Sequence, residues 1–171
     1  MAITTTLGSF FITGNKIHVS DPCYDYSCSG AVTLTNALSG KYSATLVKHN
    51  LDIWDIRVSK LTIQHEDYKD IVPDISSGYK IAVDSGQAGF FDDYYYQQNH
   101  GGDFGDINTL FGLACSLTLS KNHGGILLDK GVVAETGFGD GCYPLLIGKN
   151  NDGKIVAASI IFITNSELEV F

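Results

Sequence analysis

The chain has 171 residues, of which 44% are hydrophobic and 18% are charged, and its formal net charge is −8. A chain of this length and apolarity buries enough surface to fold without disulfides, and it is too apolar to be intrinsically disordered. Because its eleven Lys and Arg residues are scattered, the acidic charge argues against nucleic acid and anionic membranes as partners.

The N-terminal segment MAITTTLGSFFITGNK lacks the basic start and the long apolar stretch of a secretory signal. The longest apolar run, IVAASIIFI, is interrupted by Ser159 and is far shorter than the roughly 20 residues of a membrane helix. These features predict a cytoplasmic protein in which Cys23, Cys28, Cys115 and Cys142 are thiols. A bridge from Cys23 to Cys28 or to Cys142 is the alternative in an oxidising compartment.

Alternating apolar residues predict four strands in the first half of the chain, in KIHVS, YSATLVK, WDIRVSKLTI and YKIAV. In the third of these, the apolar phase slips by one residue between Val58 and Leu61. A β-bulge near Ser59 or Lys60 would reconcile the two halves.

One segment has the spacing of a helix. Apolar residues stand at i, i+3, i+4 and i+7, with Asp106 before them as the predicted N-cap. These residues are Ile107, Leu110, Phe111 and Ala114.

Four more strands are predicted in GILLD, GVVAET, YPLLIG and KIVAASIIFIT. Asp152 and Gly153, within KNNDGK, predict a hairpin between the last two. Both phases of the final strand are apolar, which is typical of a strand that is covered on both faces and lies in the middle of the fold.

With nineteen glycines, three prolines and no internal repeat, the pattern predicts a single β-rich domain over residues 1–171. We expect a mainly β (α+β) fold. Its mostly antiparallel strands would form a two-layer sandwich or a partly open barrel, with one helix across them.

Three acidic, glycine-containing segments follow or interrupt predicted strands: VSDPCYDY, VDSGQAGFFDD and TGFGDGCYP. Their SDPCY, VDSGQAG and GDGCYP stretches, followed by a D-G hairpin and an apolar strand, resemble an uncharacterised family of small bacterial and phage proteins. The resemblance extends from Ile17 to Ile163 and implies a common fold and a common site, but no reaction. Phe138 and Cys142 depart from the pattern that we expect in the third segment. The motif positions are Asp21, Asp84, Gly86, Gly89, Asp140, Gly141 and Tyr143.

The acids in these segments have two interpretations. As turn residues, Asp21, Asp84 and Asp140 would bind nearby backbone amides. If the loops converge, Asp84 and Asp140 would gather with Asp21 or Asp92 into an oxygen-rich pocket, and Asp84, Asp92 and Asp140 are the candidate ligands of Ca²⁺ or Mg²⁺. Alternatively, a close carboxylate pair would keep one proton and serve a hydrolase as general acid.

Tyr94, Tyr95 and Tyr96 form an aromatic run after Phe90 and Phe91. On an edge segment, alternate tyrosines would simply pack inward. Exposed tyrosines would instead recognise a ligand or a protein.

The sequence contains none of the local motifs of zinc sites, serine-nucleophile elbows or phosphate loops. The five histidines are interpreted as surface residues.

Our first hypothesis is therefore a non-catalytic binding module of bacterial or phage type, without a cofactor, for a small polar ligand or a protein partner. A cation-dependent hydrolase and a self-assembling, homo-oligomeric structural protein are the alternatives. The predicted ligand-binding residues are Asp21, Asp84, Ser85, Gly86, Gln87, Tyr95, Asp140 and Tyr143.

Overall fold

The computed structural model describes all 171 residues and contains eleven strands and three α-helices. The strands are β1 (Ala2–Ile12), β2 (Ile17–Ser20), β3 (Val32–Leu34), β4 (Gly40–Asn50), β5 (Ile56–His65), β6 (Ile75–Val83), β7 (Gln87–Asp92), β8 (Gly124–Leu127), β9 (Gly131–Glu135), β10 (Gly141–Lys149) and β11 (Ile155–Ile161). The helices are α1 (Asp93–Asn99), α2 (Leu110–Thr118) and α3 (Asn165–Leu168). Single turns of 3-10 helix lie at Asp52–Trp54 and Glu66–Tyr68.

The strands form two antiparallel sheets. Sheet A has six strands in the order β1-β4-β5-β11-β10-β6, and sheet B has five in the order β3-β2-β7-β9-β8. A cluster of 26 buried residues, drawn from both sheets, forms the main core. The structure therefore confirms the predicted antiparallel, mainly β fold in its two-layer form.

The predicted bulge is present in β5. The register between β4 and β5 shifts at Val47 and Lys48, which leaves Ser59 without a residue opposite it. The Ser59 carbonyl oxygen accepts hydrogen bonds from the amides of Phe162 (2.8 Å) and Ile163 (3.1 Å), just beyond β11. The bulge thus fixes the exit of the chain from sheet A.

The predictions for the last hairpin are also confirmed. Strand β11 lies between β5 and β10, in the interior of sheet A. The turn before it is closed by a hydrogen bond from the Asn150 amide to the Lys154 carbonyl oxygen (3.0 Å), with Gly153 at φ +75°. The left-handed backbone explains the glycine at this position.

The predicted helix exists, but it begins later than expected. Thr109, not Asp106, is the N-cap of α2, and its hydroxyl oxygen accepts a hydrogen bond from the Gly112 amide (3.1 Å). Ile107 precedes the helix and is 62% exposed. The prediction that Asp106 caps the helix was wrong because the chain makes another turn first, in which the Thr109 amide donates to the Asp106 carbonyl oxygen.

The tyrosine run is helical, so its interpretation as an edge segment was wrong. Tyr94 is 70% exposed on α1, Tyr95 is half-buried and Tyr96 is fully buried. Helices α1 and α2 pack on the outer face of sheet B through a second, six-residue cluster. Its members are Phe91, Tyr96, Leu110, Ala114, Leu127 and Val133.

Strands β1, β3 and β7 and helices α1 and α3 were not predicted. All six residues of β7 are buried, because the main core covers one face of this strand and the helices cover the other. No helix in the structure is long and apolar enough to cross a membrane.

His65, at the end of β5, is only 4% exposed, so its interpretation as a surface residue was wrong. The same interpretation was wrong for His18, which lies in β2 and is only 1% exposed. Its ring packs near the rings of Tyr26 and Tyr96, with centroid separations of 5.1 and 4.2 Å. Its Nδ1 lies 3.8 Å from a carboxylate oxygen of Asp93, and its Nε2 is buried without a hydrogen-bond partner. Burial, with a smaller contribution from the charge of His100, lowers the pKa of His18 from 6.5 to about 4.

Replacement of His18 by Phe should reduce the loss of stability in acid. The unfolded chain binds a proton at His18 near pH 6.5, whereas the folded protein binds it only near pH 4. The stabilising contribution is therefore complete above pH 6.5 and is lost as the pH falls toward 4. Between pH 7 and 5, the wild type should lose about 2 kcal/mol more unfolding free energy than His18→Phe, as measured by urea denaturation. Equal losses in the two proteins would contradict the prediction.

Gly89, one of the motif glycines, should not tolerate a methyl group. A Cβ at this position would lie 2.3 Å from the Val132 carbonyl oxygen, across the β7–β9 pairing. We expect Gly89→Ala to lower the unfolding free energy by about 2 to 3 kcal/mol, because backbone atoms cannot move aside without strain. Gly14→Ala is the matched control, since nothing lies within 4 Å of that Cβ. Urea denaturation of both variants would refute the prediction if they were equally stable.

Candidate functional site

The three motif loops meet where the chain passes from β6 in sheet A to β7 in sheet B. Gly141 pairs with Val83 at the end of β6. The Thr136 amide donates a hydrogen bond to the Gly86 carbonyl oxygen (3.0 Å). The SDPCY loop reaches the same turn through Asp21. Acidic strand ends that are distant in sequence are therefore neighbours in the structure.

Asp21 connects the first loop to the second. Its side chain is fully buried, and Oδ1 accepts hydrogen bonds from the Cys23 amide (2.8 Å) and the Ser85 hydroxyl (2.6 Å). Oδ2 accepts from the amides of Asp84 (2.8 Å) and Ser85 (2.7 Å). Asp21 therefore positions Ser85 and does not itself present a free oxygen to solvent.

Two neutral side chains support the Asp21 loop. Burial, together with a hydrogen bond to Asp21, raises the pKa of the Cys23 thiol to about 12, so this thiol stays protonated at neutral pH. The Tyr96 hydroxyl lies 2.7 Å from the Tyr24 carbonyl oxygen and 3.1 Å from that of Asp21. Burial raises the pKa of Tyr96, which keeps its hydroxyl a donor.

Tyr143 fixes the third loop. Its hydroxyl donates to the Gly139 carbonyl oxygen (2.5 Å), and the Thr136 hydroxyl donates to the same oxygen (2.6 Å). Gly139 has φ +100°, a conformation that favours glycine. Like Asp21, Tyr143 holds the loop in place.

The predicted metal ligands are not brought together. Asp84 is exposed and accepts a hydrogen bond from the Tyr24 hydroxyl (2.8 Å), and Asp140 is exposed on the third loop. Asp92 lies at the far end of β7, where its carboxylate accepts hydrogen bonds from the amides of Thr13 (2.8 Å) and Tyr95 (3.2 Å). The structure contains no group of three or more His, Cys, Asp or Glu side chains that could hold a metal ion.

A cavity of about 320 Å³, which we call the α2 cavity, lies between the β6–β7 turn and helix α2. Three of the predicted ligand-binding residues, Ser85, Gly86 and Gln87, line it. The rest of its wall is formed by Phe104, Phe111, Cys115, Thr118, Leu119 and Glu135.

A chain of hydrogen bonds orders the polar side of this cavity. Gln87 is 5% exposed, and its Oε1 accepts a hydrogen bond from the Thr118 hydroxyl (2.9 Å). Its Nε2 donates to the Ser85 hydroxyl oxygen (3.3 Å) and to the sulfur of Cys115 (3.4 Å). Since Ser85 in turn donates to Asp21, the chain extends from α2 to the buried carboxylate.

A second cavity of about 360 Å³, which we call the Arg57 cavity, adjoins the first, and both are lined by Gly86 and Glu135. The Arg57 guanidinium carbon lies 5.9 Å from the centre of the Phe138 ring, and Trp54 meets the same ring edge to face at 5.9 Å. The remaining lining residues are Thr136, Gly137 and Gly139.

Sequence reasoning missed both Arg57 and Trp54. Arg57 is the only arginine and Trp54 the only tryptophan of the chain, three positions apart in WDIR. The closeness of these two unique residues in the sequence could have identified them as candidates. Only the tertiary structure places both beside Phe138. Tyr95, which was also predicted to bind ligand, lines a separate cavity with His100 and Thr109.

A family model described as "Protein of unknown function (DUF4241)" matches residues 31–160. The match includes the second and third motif loops and ends within β11. Neither a curated protein nor a solved structure matches the chain.

Asp21→Asn should destabilise the protein, although it is nearly isosteric. The new amide group must face either the two amides at Oδ2 or the donors at Oδ1, so at least one buried donor loses its acceptor. We expect the unfolding free energy to fall by about 3 kcal/mol. The matched control is Asp84→Asn, whose side chain is exposed and can still accept from Tyr24. It should change the stability by no more than about 0.5 kcal/mol. Urea denaturation checks both values, and a stable Asp21→Asn would contradict the role of Asp21.

Proposed function

We propose a function from the site geometry, on the premise that the chain belongs to the family described as protein of unknown function (DUF4241). The function is that of a non-catalytic binding module, which takes a small polar ligand in the α2 cavity. The observation that carries the proposal is the buried and ordered side chain of Gln87 at the polar side of that cavity.

The hydrogen bonds of Gln87 define what kind of ligand group fits beside it. Both hydrogens of Nε2 are engaged, by Ser85 and Cys115, while Oε1 accepts only one hydrogen bond, from Thr118. An amide oxygen can accept two. The ligand group that would bind the free acceptor position of Oε1 is therefore a hydrogen-bond donor, such as a hydroxyl or an amine.

The opposite wall of the α2 cavity is apolar and open to solvent. Phe104 is 71% exposed, Leu119 is 74% exposed and Phe111 is half-buried. Exposed apolar side chains beside ordered polar groups are typical of a ligand site. A small ring compound that carries hydroxyl groups, such as a sugar or a nucleoside, satisfies both walls.

The fixed polar side favours binding because little order must be created when the ligand arrives. Asp21 holds Ser85 through two hydrogen bonds, and Ser85 holds Gln87 through one. Such preorganisation lowers the entropic cost of association. The bacterial or phage origin, the cytoplasmic location and a protein partner remain predictions of the sequence.

Adenosine and glucose are suitable probes for calorimetric titration of the α2 cavity. Gln87→Leu should weaken binding of the probe that fits by about tenfold, the effect of one lost hydrogen bond. Its fold should persist, because the Thr118 hydroxyl is also 3.2 Å from the Cys115 carbonyl oxygen. The matched control, Gln97→Leu, lies on the exposed face of α1 and should bind as the wild type does.

Amide chemical shifts give a second measure of the same binding. In the wild type, the changes should be confined to the residues that line the cavity and their neighbours in α2, namely residues 85–87, 104, 111, 115–119 and 135. Changes elsewhere, equal affinities of Gln87→Leu and the wild type, or no binding of either probe would each contradict the proposal.

A further inference from the structure

Arg57 is a cation without an acidic partner in an acidic protein. The chain carries a formal net charge of −8 and only one arginine. The ion pairs of the structure involve histidines and Lys69, and none involves Arg57. Its Nε is buried and has no hydrogen-bond partner. A buried donor without an acceptor is rare in folded proteins and calls for an explanation.

The only acid in the cavity lining is already paired with a histidine. Glu135 lines the Arg57 cavity, but its Oε2 lies 3.0 Å from Nδ1 of His123. The guanidinium instead faces Phe138, with 5.9 Å from its central carbon to the ring centre. This is within the range of a cation–π contact, and a contact at the face of the guanidinium leaves its terminal, in-plane N–H groups able to bind an anion.

The walls beside Arg57 are aromatic and partly open. Trp54 and Phe138 are each 45% exposed and meet edge to face. The backbone that holds Trp54 is strained, because Asp52 and Asp55 have φ of +51° and +61°. Strain of this kind persists only where surrounding structure enforces it, and it is concentrated at functional sites.

The glycine loop brings Phe138 to this position. Gly137 has φ +50°, and a Cβ there would lie 2.8 Å from the Val58 carbonyl oxygen, on the strand that carries Arg57. The loop can approach β5 this closely only because residue 137 is glycine. The placement of the ring over the guanidinium is therefore built into the fold.

We propose that the Arg57 cavity binds a small oxyanion carried by a planar ring, with Arg57 holding the anion and Trp54 and Phe138 contacting the ring. A guanidinium offers paired N–H donors that match the oxygens of a carboxylate or a phosphate. The cavity of about 360 Å³ lies at the small end of the range of ligand sites, which suits one ring and one anionic group. This site is additional to the α2 cavity and does not require it to be occupied.

Trp54 provides a direct readout, since it is the only tryptophan and lies in the cavity wall. Benzoate and phenyl phosphate test the two oxyanions on the same ring, benzyl alcohol is the neutral match, and inorganic phosphate is the anion without a ring. We expect a saturable change of tryptophan emission with at least one of the two aromatic anions. Benzyl alcohol and inorganic phosphate should each bind at least tenfold more weakly, and added NaCl should weaken the binding of the anion.

Arg57→Gln should reduce the affinity for the aromatic anion at least tenfold. Arg57→Lys should reduce this affinity by a smaller factor, because it keeps the positive charge. Lys149→Gln removes one positive charge from an exposed residue far along β10 and should leave the affinity unchanged. Gln87→Leu should also leave it unchanged, which separates this site from the α2 cavity. Thermal denaturation of each variant verifies that it is folded.

Binding of benzoate alone or of phenyl phosphate alone would assign the site to that oxyanion, and binding of both would support the shared chemistry. The proposal is overturned if neither aromatic anion changes the emission at about 10 mM, roughly tenfold above a Kd of 1 mM. It is also overturned if Arg57→Gln binds as tightly as the wild type, or if inorganic phosphate binds as tightly as the aromatic anion that binds. In the wild type, amide shifts at residues 137–139 give a test that depends on no variant.

Discussion

The site depends on one buried carboxylate. Removing a carboxylate from water is costly unless hydrogen bonds replace its hydration. Each oxygen of Asp21 accepts two hydrogen bonds, and three of the four donors belong to Asp84 and Ser85 in the turn between β6 and β7. Because β6 belongs to sheet A and β7 to sheet B, this carboxylate fixes one of the connections between the two sheets.

The two cavities follow from the conformation of that same turn. Gly86, with φ +70°, lines both of them, and a Cβ at this position would lie 3.9 Å from the Cα of Gly139. The loops that separate the cavities are thus held by hydrogen bonds among backbone, Asp21 and Tyr143, while the outer walls are exposed aromatic and aliphatic side chains. A rigid polar base under an open apolar rim is an arrangement that suits binding.

The positions of the acids bear on the choice between a binding module and a hydrolase that uses clustered Asp residues. Asp21 is occupied by hydrogen bonds within the fold, Asp92 caps a helix at the far end of β7, and Asp84 and Asp140 are exposed. The group that stands out electrostatically is a cation, Arg57, in a chain with a net charge of −8. Family membership identifies relatives of unknown function, so the geometry of the two cavities is the basis for the functional proposals.

Hydrophobic periodicity predicted a mostly antiparallel β fold, a bulge near Ser59 or Lys60 and the central position of β11, because the side chains of a strand alternate between its two faces. The choice between two layers and a partly open barrel came from the structure. Periodicity failed for β7, whose residues are all buried, and for α1, whose consecutive tyrosines have no evident period. Strand β7 is covered on both faces, so its residues do not alternate between apolar and polar. The conformation of α1 depends on how its tyrosines pack against neighbouring elements.

The sequence by itself also determined that acidic, glycine-containing segments end or interrupt strands, since such residues form turns. Only the tertiary structure decided that Asp21 would point inward to Ser85, that Tyr96 would reach the same loop from α1, and that Trp54 and Phe138 would flank Arg57. These contacts join residues that are far apart in the chain, although Trp54 and Arg57 are only three positions from each other. Their geometry is set by how the two sheets and their loops pack, which no local pattern encodes.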